Sequence, residues 1–234
     1  MKTLRGSFCY DPPLIFYRYP TPVPRTFVKI CGITSGADAQ AACEAGADAL
    51  GLVFYGPSSR CVSPAQAAEI VAAVPPLVTI VALFVDAPTA TIHNVLKCVP
   101  IDCIQFHGDE PAAFCDQFQR PYLKAIRMRE GVDVADTCSR YGGARGVLLD
   151  SWQQGMPGGT GKTFDWTGVP RDLSRPVVLA GGLNPGNVAR AIAAIRPAAV
   201  DVSGGVELAP GYKDQEKMIR FIAAVRAADQ QQGI

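Results

Sequence analysis

Residues 177–207 read VVLAGGLNPGNVARAIAAIRPAAVDVSGGVE, and this stretch gives the clearest indication of the fold. Its apolar runs predict strands at 177–180 and 199–202, and the helical spacing at 187–195 predicts a helix between them. A glycine pair follows each predicted strand. Two successive strands that are separated by a helix and closed by glycine turns are typical of the β/α repeat of a parallel sheet.

The two glycine turns also indicate a ligand. They comprise Gly181 and Gly182 after the first strand, and Ser203, Gly204 and Gly205 after the second. Glycine lets backbone N–H groups approach a ligand without interference from a Cβ atom, and helices that start just beyond such turns bind anions well. In (β/α)₈ barrels a phosphate commonly lies after strands seven and eight. We therefore predict one phosphate shared by both turns, and the alternative is a pair of ordinary tight turns.

The same repeat extends over most of the chain. Apolar runs start near residues 26, 49, 78, 102, 122, 146, 177 and 199, and most of the gaps contain an Ala-rich helical segment. Eight strand–helix repeats predict an α/β fold consisting of a single (β/α)₈ TIM barrel over residues 26–234. A doubly wound open sheet is the alternative, although such sheets usually have fewer strands. Two prolines in residues 164–176 predict that the sixth helix is short.

Residues 1–25 differ from the rest of the chain because they contain five prolines and show no clear period. We predict a flexible N-terminal extension. An overlong start of the gene and an arm that packs on a partner are the alternatives.

The composition limits the functional class. The chain has 234 residues and a net charge of +1, so nothing suggests a nucleic-acid partner. Eight cysteines without a CxxC pair, and only two histidines, argue against a structural zinc site. The N-terminus does not resemble a signal peptide, and no apolar run has membrane-spanning length. We predict a cytoplasmic protein with reduced thiols that binds neither nucleic acid nor membrane.

Several predicted strands carry polar residues near their carboxyl ends. Side chains alternate along a strand, so residues two apart share a face. The polar residues that should point into the barrel are Lys29, Cys31, Gln105, His107, Asp150, Asp201 and Ser203. A buried polar group without a partner costs about 1–3 kcal/mol. We therefore expect these side chains to line a site at the catalytic end of the barrel.

Each candidate also has a purely structural interpretation. Cys31 fits a small buried apolar residue as well as a reactive thiol, and Lys29 is expected to lower its pKa. Asp150 fits a turn cap, and His107 fits an orienting group rather than a catalyst. Arg60, which follows the GPSS turn, fits a solvated loop charge.

Nine short sequence motifs, which together contain these candidate residues, follow one another along the chain. They are VKICGIT (28–34), ADALGLVFYGPSSRCVS (47–63), VALFVDAP (81–88), IQFHGDE (104–110), LLDS (148–151), GGTGKTFDW (158–166), LAGGLNPGNVARAI (179–192), DVSGGVE (201–207) and GYKD (211–214). Together they resemble the phosphoribosylanthranilate isomerases, which are (β/α)₈ barrel enzymes of tryptophan biosynthesis. The resemblance implies an Amadori rearrangement of N-(5-phosphoribosyl)anthranilate to 1-(2-carboxyphenylamino)-1-deoxyribulose 5-phosphate. It implies no cofactor, no metal and a phosphorylated aminosugar as the substrate, and we expect a monomer or homodimer.

The resemblance also implies roles for single residues. Cys31 would be the general base, Asp150 the general acid, and Arg60 the group that binds the anthranilate carboxylate. The remaining substrate-binding set would be His107, Gly159, Gly181, Gly182, Asp201, Ser203, Gly204 and Gly205. Gly159 lies in the glycine-rich connection 150–166, which is suited to wrap a ligand. There are two departures: the family often has Ser at position 204, and it has no counterpart of residues 1–25.

Three other functions remain as alternatives. A related barrel isomerase of histidine biosynthesis would be expected to have Asp at position 31. The barrel enzyme that forms indole-glycerol phosphate would be expected to have a catalytic Lys and Glu set, which these strand ends lack. A phospho-sugar-binding barrel without activity would not need both Cys31 and Asp150.

Overall fold

Eight parallel strands form a closed barrel at the centre of the fold. The computed structural model describes residues 25–151, 163–170 and 172–233. The strands are β1 (Phe27–Cys31), β2 (Ala49–Val53), β3 (Thr79–Phe84), β4 (Cys103–Phe106), β5 (Tyr122–Met128), β6 (Gly146–Ser151), β7 (Val177–Leu179) and β8 (Ala199–Val202). Each strand pairs with the next, and β8 pairs with β1. The predicted TIM barrel is confirmed, and each strand starts within one residue of its predicted position.

Helices connect the strands on the outside of the barrel. They are α1 (Gly36–Glu44), α2 (Pro64–Ala72), α3 (Thr89–Cys98), α4 (Ala112–Asp116), α5 (Val134–Arg140), α6 (Val188–Ile195) and α7 (Gln215–Gln231). Local sequence sets several of their starts. Ser63 accepts a hydrogen bond from the Gln66 backbone N–H, and the Gln66 side chain accepts one from the Ser63 N–H, so α2 begins with a capping box. Asp214 caps α7 in the same position.

Two connections depart from the regular repeat. Between β6 and β7, the described residues form only a short 3₁₀ helix, Trp166–Gly168, in agreement with the short sixth helix that the prolines predict. After β8, an antiparallel hairpin of β9 (Glu207–Ala209) and β10 (Tyr212–Lys213) precedes α7. The sequence analysis did not predict this hairpin, which lies beside the second glycine turn.

The alternation along the strands separates two kinds of packing. Val28, Ile30 and Leu149 point outward and are fully buried beneath the helices. Burying such a side chain contributes about 1.5–3 kcal/mol. Small and medium apolar residues fill the inside of the barrel, among them Ala125 and Leu148. The polar side chains that line the cavity lie at the rim formed by the carboxyl ends of the strands.

Some predictions fall outside the described residues, namely the extension over 1–24 and Gly159. The seven cysteines that are described are all free thiols. Within the described ranges, no helix combines the length and apolar character that a membrane span needs.

Candidate active site

A cavity of about 290 Å³ opens at the carboxyl ends of the strands. It brings together the predicted catalytic and substrate-binding residues that the structure describes: Cys31, Arg60, His107, Asp150, Gly181, Gly182, Asp201, Ser203, Gly204 and Gly205. Lys29, also expected to line the site, is buried and does not line the cavity. Gln105 also lines it, as the alternation along β4 predicts. Residues from six strands or the loops after them therefore share one site, which is the arrangement expected at the catalytic end of such a barrel.

Cys31 ends β1 and lies almost fully buried against β2. A Cβ atom at Gly51 would lie 2.7 Å from the Cys31 Sγ and 3.0 Å from the Lys29 Nζ, so a glycine on β2 makes room for both side chains. Burial raises the pKa of Cys31, and the positive charge of Lys29 opposes this without overcoming it. The expectation that Lys29 gives Cys31 a lowered pKa is therefore wrong, because desolvation of the thiolate outweighs the attraction.

Lys29 forms an ion pair beneath the thiol. Its Nζ lies 2.8 Å from Oδ1 of Asp201, and both side chains are buried. Burial alone would lower the pKa of Lys29, but attraction to Asp201 and to Cys31 raises it above the ordinary value. Lys29 consequently remains a cation at neutral pH and supplies positive charge under Cys31.

Asp150 belongs to a chain of three polar side chains on β6 and β4. The Nε2 of His107 lies 3.1 Å from Oδ2 of Asp150, and its Nδ1 lies 2.8 Å from Nε2 of Gln105. When the Gln105 amide donates to Nδ1, the imidazole proton is on Nε2 and is donated to Asp150. This geometry fits the interpretation of His107 as an orienting group. It does not fit Asp150 as a turn cap, since the carboxylate lines the cavity.

Cys31 and Asp150 lie on different sides of the cavity. Their strands, β1 and β6, are separated by β7 and β8 around the closed barrel. Two ionisable groups placed in this way can reach different atoms of one bound molecule. The arrangement is suited to a reaction that needs one proton donor and one proton acceptor.

The two glycine turns interlock at the ends of β7 and β8. Gly181 and Gly182 have φ values of +81° and +65°, which other residues adopt only with strain. A Cβ atom at Gly205 would lie 1.9 Å from the backbone oxygen of Leu183, inside the neighbouring turn. The hydroxyl oxygen of Ser203 is buried and has no hydrogen-bond partner among the described residues. The turns thus present backbone without intervening Cβ atoms and one available hydroxyl group, which are features that suit an anionic ligand.

Arg60 crosses the end of β1 and reaches the hairpin. Its Nε and Nη2 donate to Oε1 and Oε2 of Glu207 at 2.8 and 2.7 Å. A Cβ atom at Gly32 would lie 2.4 Å from the Arg60 Cδ, so glycine makes room for the arginine stem. Only 18% of the Arg60 side chain is exposed. The interpretation of Arg60 as a solvated loop charge is therefore wrong.

Two features of the site were missed by sequence reasoning. One is an apolar wall formed by Val53, Tyr55, Leu83 and Val85 beside Cys31. The alternation along β2 and β3, which places Val53 and Leu83 inside, was the signal available. The other is the pairing of Glu207 with Arg60 and Lys213, for which the sequence shows only that the motifs DVSGGVE and GYKD are close together.

The character of the cavity defines the ligand class. An apolar wall, a guanidinium group and two glycine turns suit an anionic molecule that has a flat apolar part. Within the described ranges, no group of three or more His, Cys, Asp or Glu side chains is arranged to hold a metal ion.

Comparisons with known proteins agree with this geometry. The family profile of N-(5'phosphoribosyl)anthranilate (PRA) isomerase matches residues 28–224. An N-(5'-phosphoribosyl)anthranilate isomerase of Pseudomonas syringae pv. tomato is 56% identical over 197 residues, which cover 84% of this chain and 96% of that protein. The phosphoribosyl anthranilate isomerase structure from Thermotoga maritima matches with a TM-score of 0.80 at 40% identity, over 86% of this chain and 99% of that one. A phosphoribosyl anthranilate isomerase complexed with reduced 1-(O-carboxyphenylamino)-1-deoxyribulose 5-phosphate matches with a TM-score of 0.76 at 38% identity, over the same shares. The chain therefore belongs to the N-(5'-phosphoribosyl)anthranilate isomerase family.

Proposed function

We propose that Asp150 and Cys31 perform the two proton transfers by which this isomerase rearranges N-(5'-phosphoribosyl)anthranilate. The reaction turns an N-glycosylamine into an aminoketose, so one proton must reach the furanose ring oxygen and another must leave C2′. The observation that carries the proposal is the placement of one carboxyl group and one thiol on different sides of a single cavity. Positioned proton transfer of this kind typically accelerates a reaction by about 10²–10⁴-fold for each group.

Asp150 acts first, as the general acid. Its carboxyl proton passes to the ring oxygen, the bond between C1′ and that oxygen breaks, and the nitrogen lone pair forms an iminium ion. The hydrogen bond from His107 Nε2 engages Oδ2 of Asp150, and it leaves Oδ1 for the substrate. His107, itself held by Gln105, therefore fixes the direction from which the acid approaches.

Cys31 acts second, as the general base. Its thiolate removes the C2′ proton, the electrons of that C–H bond form the C1′=C2′ bond of an enolamine, and the iminium charge is neutralised. Tautomerisation then moves the proton of the C2′ hydroxyl to C1′, which gives the C2′ ketone and a C1′ methylene group. Proton exchange with water returns Cys31 to the thiolate and Asp150 to the acid. The raised pKa of Cys31 makes the thiolate a minor species at neutral pH but a stronger base once formed. Lys29, cationic beneath the sulfur, stabilises the thiolate most, and Lys213 adds to this.

Binding groups on opposite sides hold the reacting carbons in place. We assign the phosphate to the turns at Gly181–Gly182 and Ser203–Gly205, and the anthranilate carboxylate to Arg60. The aromatic ring would lie against the apolar wall that includes Val53 and Leu83. Asp201 faces the sugar while it pairs with Lys29, and Gly159 completes the predicted set.

The experiment measures the loss of substrate fluorescence on addition of purified protein. Cys31→Ser should lower kcat by about 10²–10⁴-fold and change KM little, because the phosphate and carboxylate contacts lie elsewhere. Cys103→Ser is the matched control, since Cys103 is a partly buried thiol on β4 that does not line the cavity. A Cys31→Ser enzyme with the kcat of the control would remove Cys31 as the base and make His107 the next candidate.

We also infer that the protein acts in the cytoplasm as a monomer or homodimer, on a small phosphorylated aminosugar and not on nucleic acid or membrane. The near-neutral net charge supports the second part. Sedimentation analysis of the purified chain checks the oligomeric state, and a trimer or larger assembly would contradict it.

A further inference from the structure

Glu207 holds the Arg60 guanidinium group in one orientation. The carboxylate accepts from Nε and Nη2, which is the side edge of the guanidinium plane. A guanidinium group has five N–H donors, and among the described residues only Glu207 accepts hydrogen bonds from this side chain. Three donors remain, two on Nη1 and one on Nη2, and one donor from each of these nitrogens forms the end edge of the same plane. Arg60 can therefore bind a second carboxylate without releasing the first.

Lys213 holds Glu207 in turn. Its Nζ lies 2.7 Å from Oε1 of Glu207 and 2.6 Å from the carbonyl oxygen of Cys31, and the Lys213 side chain is fully buried. A third contact, at 3.4 Å, reaches the carbonyl oxygen of Ser203. Lys213, which lies in the hairpin, thus connects the carboxyl ends of β1 and β8 to Glu207, the residue that orients Arg60.

The charges of this cluster have opposite consequences for an anionic substrate. Burial opposes ionisation of Glu207, but hydrogen bonds and charge from Arg60 and Lys213 lower its pKa below the ordinary value. Burial lowers the pKa of Lys213 because it penalises the charged form, and attraction to Glu207 offsets this only in part. Glu207 is therefore an anion that repels a second carboxylate, while its hydrogen bonds preorganise the group that binds this carboxylate. Removing the charge of Glu207 lowers the affinity for a carboxylated substrate only if the lost orientation of Arg60 outweighs the relief of the repulsion.

We propose that Glu207, fixed by Lys213, is a positioning residue that presents the end edge of Arg60 to the carboxylate of the substrate. The proposal rests on the function proposed above for Arg60. The fixed Arg60 side chain loses little conformational freedom when it binds the carboxylate, whereas a free arginine side chain would lose rotation about several bonds. Specificity for a carboxylated aromatic ring would then depend on a residue that does not touch the substrate.

The test compares two stable ligands by titration calorimetry. Both are reduced aminoketose 5-phosphates, one with a 2-carboxyphenyl group and the other with an unsubstituted phenyl group. Glu207→Gln should weaken binding of the carboxyphenyl ligand about tenfold, as expected for uncoupling two directly paired groups, and should change binding of the phenyl ligand less than twofold. In turnover assays the same variant should raise KM and leave kcat within about threefold, since KM alone reports this binding term. Glu207→Asp keeps the charge with a shorter side chain and should give a smaller loss of the same pattern.

The matched control is Asp229→Asn. Asp229 is an equally buried carboxylate that accepts hydrogen bonds from the backbone and hydroxyl of Thr26, at the opposite end of β1. It should change the affinity of neither ligand. Equal weakening of both ligands by Glu207→Gln, or tighter binding of the carboxyphenyl ligand, would overturn the positioning role. Arg60→Met tests the underlying assignment separately: equal loss of both ligands in that variant would show that Arg60 does not bind the carboxylate.

Discussion

The contact between the two glycine turns makes Gly205 the most demanding position in the site. A Cβ atom there would lie 1.9 Å from the Leu183 oxygen, 2.9 Å from the Leu183 carbonyl carbon and 3.1 Å from the Asn184 Cα. These are backbone atoms, so no side-chain rotation relieves the overlap. The turns must separate by more than an ångström before the contact becomes ordinary, and overpacking of this kind costs about 1–3 kcal/mol.

We expect Gly205→Ala to impair both binding and stability. The displaced turn should lose phosphate contacts that bind substrate and transition state alike, so KM should rise by about tenfold or more. The overpacking strain should lower Tm by roughly 2–12 °C. The measurements are steady-state fluorescence kinetics and thermal unfolding. Gly142→Ala is the control, because a Cβ atom there meets no heavy atom within 4 Å. A Gly205→Ala enzyme with the KM and Tm of this control would refute the interlocked-turn account.

Three further predictions concern phosphate, pH and stability. Inorganic phosphate should inhibit competitively with the substrate. Gly181→Ala should weaken this inhibition, because the φ of +81° at position 181 suits glycine. Noncompetitive inhibition would contradict a site that inorganic phosphate and the substrate share. Because burial raises the pKa of Cys31, the rate at which iodoacetamide alkylates Cys31, measured against Cys31→Ser, should still rise with pH beyond the ordinary thiol pKa of about 8.5. Lys29→Met should move this titration to higher pH because the thiolate loses a stabilising charge, and a shift to lower pH would refute the role of Lys29. Asp229→Asn should lower Tm by roughly 2–12 °C, as expected when lost hydrogen bonds cost about 1–3 kcal/mol of stability. The kcat should not change, because the contacts of Asp229 with Thr26 lie at the end of β1 opposite to the site.

The fold and most of the site follow from short-range patterns. Strand starts agree to within one residue because apolar runs between glycine turns and Ala-rich helices are local signals. The alternation along β1 and β4 correctly placed Cys31 and His107 on the inner face, since this alternation is a property of the strand itself.

The remaining features depend on tertiary contacts that no local pattern encodes. Glu207 is 147 residues from Arg60 in the chain, and it lies in the hairpin after β8, which the closure of the barrel places next to β1. The pKa of Cys31 was predicted with the wrong sign because the attraction of Lys29 is visible in the sequence, whereas the extent of burial is not. Gly205 was interpreted as space for a ligand, but in the structure it also makes space for the neighbouring turn.

The most direct test of the acid–base account is the single-turnover rate of Asp150→Asn with N-(5'-phosphoribosyl)anthranilate. The amide keeps the shape and the contact with His107 but has no carboxylic proton to give to the ring oxygen. The ring must open before C2′ can lose its proton, so this variant should be slower than Cys31→Ser. We expect a rate about 10³-fold or more below wild type, because a positioned acid is lost. The affinity for the reduced product analogue should change less than about threefold, because affinity reports only the binding contacts. A rate close to that of wild type would contradict the acid–base account.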